Sequence, residues 1–274
     1  MVNITNYSVD SIKNQIKEEQ GWGSYFIIDN YLEKTLFDNL CKDFNNIKTE
    51  NIYTIKENPR IWNENEPFGL NWCVGGAGGG KEYFDKLNDL SINWKNFIDQ
   101  MYSKDMYEYF LSLFSDTEVY KNNISEDDVR DSKLSCKLSS QYHNYGDIIH
   151  PDARQKVVSF LLYLDNHDWD KDSIGGTDFW KVIDTKVVYN NKTDSMDYKY
   201  RGGRFSVKHP NVRLTEEEAE RIIKFKSIDF KPNRLIGFVR NNKSYHSIPP
   251  RVLPNGVTRD CFQINIWNLR SRVK

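Results

Sequence analysis

The chain has 274 residues and a net charge of −1, from 38 Lys plus Arg against 39 Asp plus Glu. That balance calls for no strongly basic face and argues against a dedicated nucleic-acid binder. Hydrophobic content is only 38%, but the aromatic share of 14% buries large areas and excludes a disordered chain.

In chain order, Ser8 to about Glu19 reads as a short polar helix with Ser8 as N-cap. Residues 1–20 are polar and charged without an apolar h-region, and no run of about eighteen apolar residues occurs, so no membrane partner is expected. Tyr25 to Ile28 is strand-like. Leu36, Phe37, Leu40, Cys41 and Phe44 then repeat at helical spacing. A second helical block carries Trp94, Phe97, Ile98, Met101 and Tyr102, and Ser103 restarts it toward Met106, Phe110 and Leu113. From residue 133 the period becomes two, with Leu134, Cys136 and Leu138 alternating with polar residues. Val157–Leu164 suits a strand buried on both faces; Phe179–Ile183, Lys186–Tyr189 and Leu235–Val239 read as further strands. Asn190–Ser195 reads as a loop tip. Thr215 with Glu218 forms a capping box before a short helix carrying Ala219, Ile222 and Ile223, so about 190–230 reads as an insertion between core strands.

Helices first and many short strands later indicate an α+β domain with a jelly-roll core. The length suits a single domain over 1–274, with 1–125 mainly helical and 126–274 forming the core. Cys41, Cys73, Cys136 and Cys261 form no CxxC pair and read as scattered thiols in a reducing, cytoplasmic setting.

The chemistry concentrates in His150-Pro151-Asp152, His246 and Arg259. Residues i and i+2 on a strand share a face, so His150 and Asp152 can hold one metal. Pro151 between them is tolerable at a strand start or edge. Two imidazoles and one carboxylate leave neighbouring coordination positions open, which is what non-haem Fe(II) oxygenases require. Against this stands a loop Asp beside solvated histidines, because Asn241–Ser244 before His246 is polar. His143, His167 and His209 lack such partners and read as ordinary histidines. A guanidinium binds a carboxylate through two parallel hydrogen bonds, which suits Arg259 to hold an acidic ligand; Arg240 and Arg251 are solvated backups.

Gly75, Gly80 and Lys81 meet part of a phosphate-binding loop, but Glu82 stands where Ser or Thr would bind Mg²⁺. The glycines at 75, 76 and 78–80 suit a mobile flap or a plain loop.

In order and spacing, His150-Pro151-Asp152, Leu162-Tyr163-Leu164-Asp165, Trp169, Gly175-Gly176, Arg234–Phe238, His246 and Arg259–Trp267 resemble the 2-oxoglutarate and Fe(II)-dependent dioxygenases. The prolyl 4-hydroxylase-like branch is the most similar. Matching motifs run from about Tyr142 to Trp267, and Tyr25–Phe44 looks like that family's N-terminal opening. The resemblance implies a double-stranded β-helix with flanking helices, and Fe(II) held by His150, Asp152 and His246. It implies 2-oxoglutarate anchored by Arg259, with Tyr163 and, more weakly, Tyr142 assisting. It also implies O₂ as co-reactant, and hydroxylation of a C–H bond on a small-molecule or peptidyl substrate while 2-oxoglutarate becomes succinate. Asp165 stands where relatives often carry Asn. Asp152 departs from the halogenase pattern, and Asn265 departs from the nucleic-acid demethylase pattern. A cupin-like binding protein without redox turnover is the alternative, and Arg259 speaks against it.

Overall fold

The structure is a computed structural model that describes residues 4–49, 71–75, 80–141, 147–153, 155–164, 176–182, 222–248 and 258–268. The first helix, α1 (Val9–Lys13), is capped by Ser8, whose side chain accepts from Ser11 N–H. It is shorter than the sequence pattern suggests. Lys17–Glu19 instead forms β1, which turns through Gly21 at φ +77° to pair with β2 (Gly23–Ile28). Gly23, at φ +136°, takes a conformation costly for other residues.

Next come α2 (Lys34–Thr49), β3 (Asn71–Gly75), a 3₁₀ turn, and the short helices α3 (Asp85–Leu90), α4 (Ile92–Met101), α5 (Lys104–Ser112), α6 (Glu118–Asn123) and α7 (Glu126–Arg130). Ser91, Ser103, Thr117 and Ser125 cap the last four, each side chain accepting a first-turn N–H, so the breaks are written by local polar residues. The remaining strands are β4 (Ser132–Gln141), β5 (Asp147–His150), β6 (Lys156–Tyr163), β7 (Thr177–Val182), β8 (Ile222–Ile228), β9 (Leu235–Val239), β10 (Tyr245–Ile248) and β11 (Arg259–Asn268).

Among the described residues the strand pairings are antiparallel and give an α+β architecture of two sheets, ordered β1-β2-β9-β6-β11-β4-β3 and β5-β10-β7-β8. The larger sheet has two apolar faces. Phe160, Leu162, Phe262, Ile264, Ile266, Leu134, Cys136 and Leu138 join the helices in one core. Their strand neighbours Tyr163, Cys261, Ile236 and Phe238 join Phe179 and Ile228 of the smaller sheet in another. The period of two thus sorts side chains between a helical layer and an inter-sheet layer. Gly237 shows how tight the helical side is: a Cβ there would lie 2.5 Å from the Phe26 ring.

Ile222 and Ile223, expected on a helix, lie on β8, paired with β7. Their β-branched side chains favour the strand once a partner exists. Lys186–Tyr189, Asn190–Ser195, Thr215, Glu218 and Ala219 lie outside the described residues, as do residues 76–79. Cys41, Cys136 and Cys261 are buried thiols that are not joined in a disulfide. No described helix is long and apolar enough to cross a membrane.

Candidate metal centre

His150 ends β5 and faces His246 as its cross-strand partner on β10. Partners directly opposite share a face, and here the two rings lie 4.6 Å apart between centroids. Asp152 follows just beyond the end of β5, in the segment that enters β6. The pairing of His150 with Asp152 therefore comes from a strand end and its turn rather than from two positions inside one strand. Pro151 costs no ladder hydrogen bond there, and β5 is an edge strand. The three residues are 6%, 4% and 8% exposed in the order His150, Asp152, His246. Their ligand atoms lie within 4.8 Å of one another.

His246 is no surface histidine. Trp22 Nε1 donates to the Tyr245 carbonyl at 2.9 Å, and Asn241 Nδ2 donates to the Trp22 carbonyl at 2.9 Å, tying the β9–β10 turn to the N-terminal hairpin. The ring nitrogen Nδ1 lies 3.0 Å from the Ser244 carbonyl. A carbonyl can only accept, so Nδ1 carries the proton and the Nε2 lone pair is directed to the centre. Nε2 lies 4.0 Å from Asp152 Oδ1.

Asp152 is held by two donors: Lys156 Nζ reaches Oδ1 at 2.5 Å, and Ser159 Oγ reaches Oδ2 at 2.6 Å. Burial alone would raise its carboxyl pKa. The Lys156 charge outweighs burial and holds it well below the usual carboxylate range. Arg240, expected to be solvated, is half-buried, and its Nε donates to the Asp152 carbonyl at 3.2 Å. Two imidazoles and a carboxylate on one side suit a divalent first-row metal.

Arg259 opens β11 and is 2% exposed. Its Nη1 donates to Oε1 of its cross-strand partner Gln141 at 2.6 Å. The guanidinium carbon stands 5.2 Å from the Tyr163 ring centre and 5.7 Å from that of Phe230. Tyr163 stacks on Phe230, and its hydroxyl bonds Thr177 Oγ1 at 2.7 Å, joining β6 to β7 across the two sheets. Burial raises the Tyr163 pKa against the opposing charge of Arg259, so the hydroxyl stays protonated and able to donate. The inter-sheet aromatics run from Tyr163 through Phe179 to Phe238, whose ring lies 4.9 Å from that of His246.

The structure thus gathers His150, Asp152 and His246, and places Tyr163 beside Arg259. Tyr142, His143, Asp165, His167, Trp169, Gly175, His209 and Arg251 lie outside the described residues. Lys156, Ser159, Ser244, Gln141 and Thr177 carry no motif and escaped the sequence reading. At the described end of the partial phosphate loop, Glu82 Oε1 accepts Gly80 N–H at 3.2 Å and Lys81 pairs with Asp99.

No protein-family model matches the chain, and no curated protein matches it in sequence. Solved structures do. The non-haem alpha-ketoglutarate-dependent epimerase SnoN from nogalamycin biosynthesis aligns at a TM-score of 0.53 and 8% identity, over 95% of this chain and 80% of that one. The same enzyme in complex with Fe³⁺, alpha-ketoglutarate and nogalamycin RO aligns at 0.51 and 8%, covering 95% and 83%. A Pseudomonas putida prolyl-4-hydroxylase aligns at 0.47 and 12%, covering 95% and 96%. The likeness to SnoN shows that this chain shares the fold of a non-haem, alpha-ketoglutarate-dependent enzyme.

Proposed function

We propose that the protein is an Fe(II)- and 2-oxoglutarate-dependent dioxygenase, built as one domain on a double-stranded β-helix. The observation that carries this reading is the convergence of His150, Asp152 and His246 from a strand end and its cross-strand partner into one buried donor set. The fold shared with SnoN supports it, since that enzyme's structure holds iron and alpha-ketoglutarate. With 2-oxoglutarate and O₂, Fe(II) at such a site supplies the oxidant for a substrate C–H bond.

The chain's own residues have separable tasks. His150, Asp152 and His246 hold the metal on one side and leave the other side open. Ser244 fixes the His246 tautomer, and Ser159 fixes the Asp152 carboxylate. Arg259 receives the far carboxylate of 2-oxoglutarate, with the protonated Tyr163 hydroxyl as a second donor beside it. The aromatics between the sheets keep water away and strengthen that charge pairing. We place the protein in the prolyl 4-hydroxylase-like branch on the order of its motifs, with a small molecule or a peptide as substrate and the reducing cytoplasm as its setting. Retained Asp152 and the absence of a second Arg at Asn265 favour hydroxylation over halogenation and over nucleic-acid demethylation.

The test is anaerobic addition of Fe(II) and 2-oxoglutarate, which should give a weak visible charge-transfer band. His150→Ala and His246→Ala should each abolish it. Retention of the band and of full iron affinity in both variants would refute the ligand assignment. A substrate screen coupled to succinate release then identifies what is oxidised.

A further inference from the structure

Asp152 Oδ1 has two claimants. It is the oxygen that faces His246 Nε2 at 4.0 Å, and it also accepts the Lys156 ammonium at 2.5 Å. A second-row Ser would satisfy a carboxylate without adding charge, as Ser159 does on Oδ2. A full cation on the metal-facing oxygen is a different device. It neutralises a buried carboxylate that would otherwise cost the fold dearly, and it repels any divalent ion approaching the same atom.

Lys156 also has somewhere to go. Its side chain is 17% exposed and lines a polar pocket of about 90 Å³ together with Asp128, Asn241, Asn268 and Arg240. The Asp128 carboxylate lines that pocket along with Arg240, its Oδ1 accepting from Asn268 Nδ2 at 2.6 Å and its Oδ2 from Ser125 Oγ at 2.7 Å. Lysine's four-carbon stem and three rotatable donors let the ammonium change partner without moving the strand that carries it.

We propose that Lys156 is a resident counter-cation: it holds the metal's place at Asp152 Oδ1 and withdraws into the Asp128 pocket when the metal binds. This rests on the metal site proposed above and adds a residue that sets its affinity. Lys156 is a positioning residue, acting through Asp152. The charges explain why such a device is useful. Asp152 with Lys156 sums to zero, and a divalent metal must displace the ammonium from Oδ1 before it can bind there. Lys156 therefore weakens the hold of the site on the metal.

Mn(II) titration of the full chain, followed by calorimetry and by loss of the free Mn(II) electron-spin signal, tests this without catalysis. Removing the competing charge in Lys156→Met should tighten Mn(II) by about ten-fold, the scale on which residues behind metal ligands act. Lys156→Arg, which keeps the charge, should stay near wild-type affinity, and Ser159→Ala should bind no more tightly than wild type. Lys156→Gln serves if the Met variant fails to fold, because its amide can still donate to Oδ1, and it too should bind Mn(II) more tightly. Unchanged or weaker binding in the folded neutral variants, or equally tight binding in Lys156→Arg, overturns the proposal. A wild type that binds Mn(II) no better than His246→Ala would instead overturn the metal site itself.

Discussion

Arg259 offers the sharpest test of how the two halves of the site divide their labour. Arg259→Met removes a guanidinium that is 2% exposed, bonded to Gln141 Oε1 at 2.6 Å and seated against the Tyr163 and Phe230 rings. Losing one partner of a desolvated charge pair costs on the order of 2–5 kcal/mol. At about 1.4 kcal/mol per decade, that is a loss of roughly 30- to several-thousand-fold in 2-oxoglutarate affinity. The metal should be spared, because Arg259 lies on the larger sheet, whereas the two histidines pair within the smaller one. Methionine also strands the Gln141 oxygen at a cost of about 1–3 kcal/mol; stability is therefore measured in parallel by urea unfolding. Arg259→Lys keeps the charge without the planar fork and should fall between the two. The assay is calorimetric titration of 2-oxoglutarate into the Mn(II)-loaded protein, with a separate Mn(II) titration. An unchanged cosubstrate dissociation constant, or an equal loss of Mn(II) affinity, would refute the anchoring role.

Gly237→Ala should lower stability by about 1–3 kcal/mol in urea unfolding, because its methyl would meet Phe26 at 2.5 Å and Phe160 at 2.7 Å inside a packed face; an unchanged midpoint would mean those rings yield freely. Asp29 binds Arg234 at 2.6 Å and Lys231 at 2.7 Å, where the end of β2 meets the start of β9. Burial would raise its carboxyl pKa, but Arg234 and Lys231 prevail and lower it. A lowered folded pKa gives stability that is present above the unfolded value of about 3.9 and lost as pH falls below it. Asp29→Asn should thus be less stable than wild type by at most about 1 kcal/mol at pH 7, and the gap should close in strongly acidic urea titrations; a gap that persists there would have another cause. Mg-ATP should show no calorimetric heat of binding, since Glu82 stands where a Ser or Thr would be needed to bind Mg²⁺; a micromolar site removed by Lys81→Ala would contradict this.

Local patterns were enough to place most elements. Ser8 and Ser103 cap helices because a hydroxyl next to an apolar-periodic run satisfies the first free N–H groups wherever the chain lies. The alternation through Leu134, Cys136 and Leu138 and through Phe262, Ile264 and Ile266 marked strands with these apolar residues on one face, which packs on the helical core. His150, Asp152, His246 and Arg259 stood out because imidazole, carboxylate and guanidinium carry chemistry that their neighbours lack. What spans the sequence was invisible to it. Lys17–Glu19 and Ile222–Ile223 fit helical patterns locally, and became strands only because a cross-strand partner was available. His246 was legible as a candidate ligand, but its burial opposite His150 came from the register of β10 on β5. Lys156, Ser159 and Gln141 are ordinary residue types that gained meaning from the atoms that the tertiary structure set within hydrogen-bond reach. The ligand types were written in the sequence; the charge around Asp152 and the tautomer of His246 were decided by packing, because both depend on groups brought together only by the paired strands and their turns.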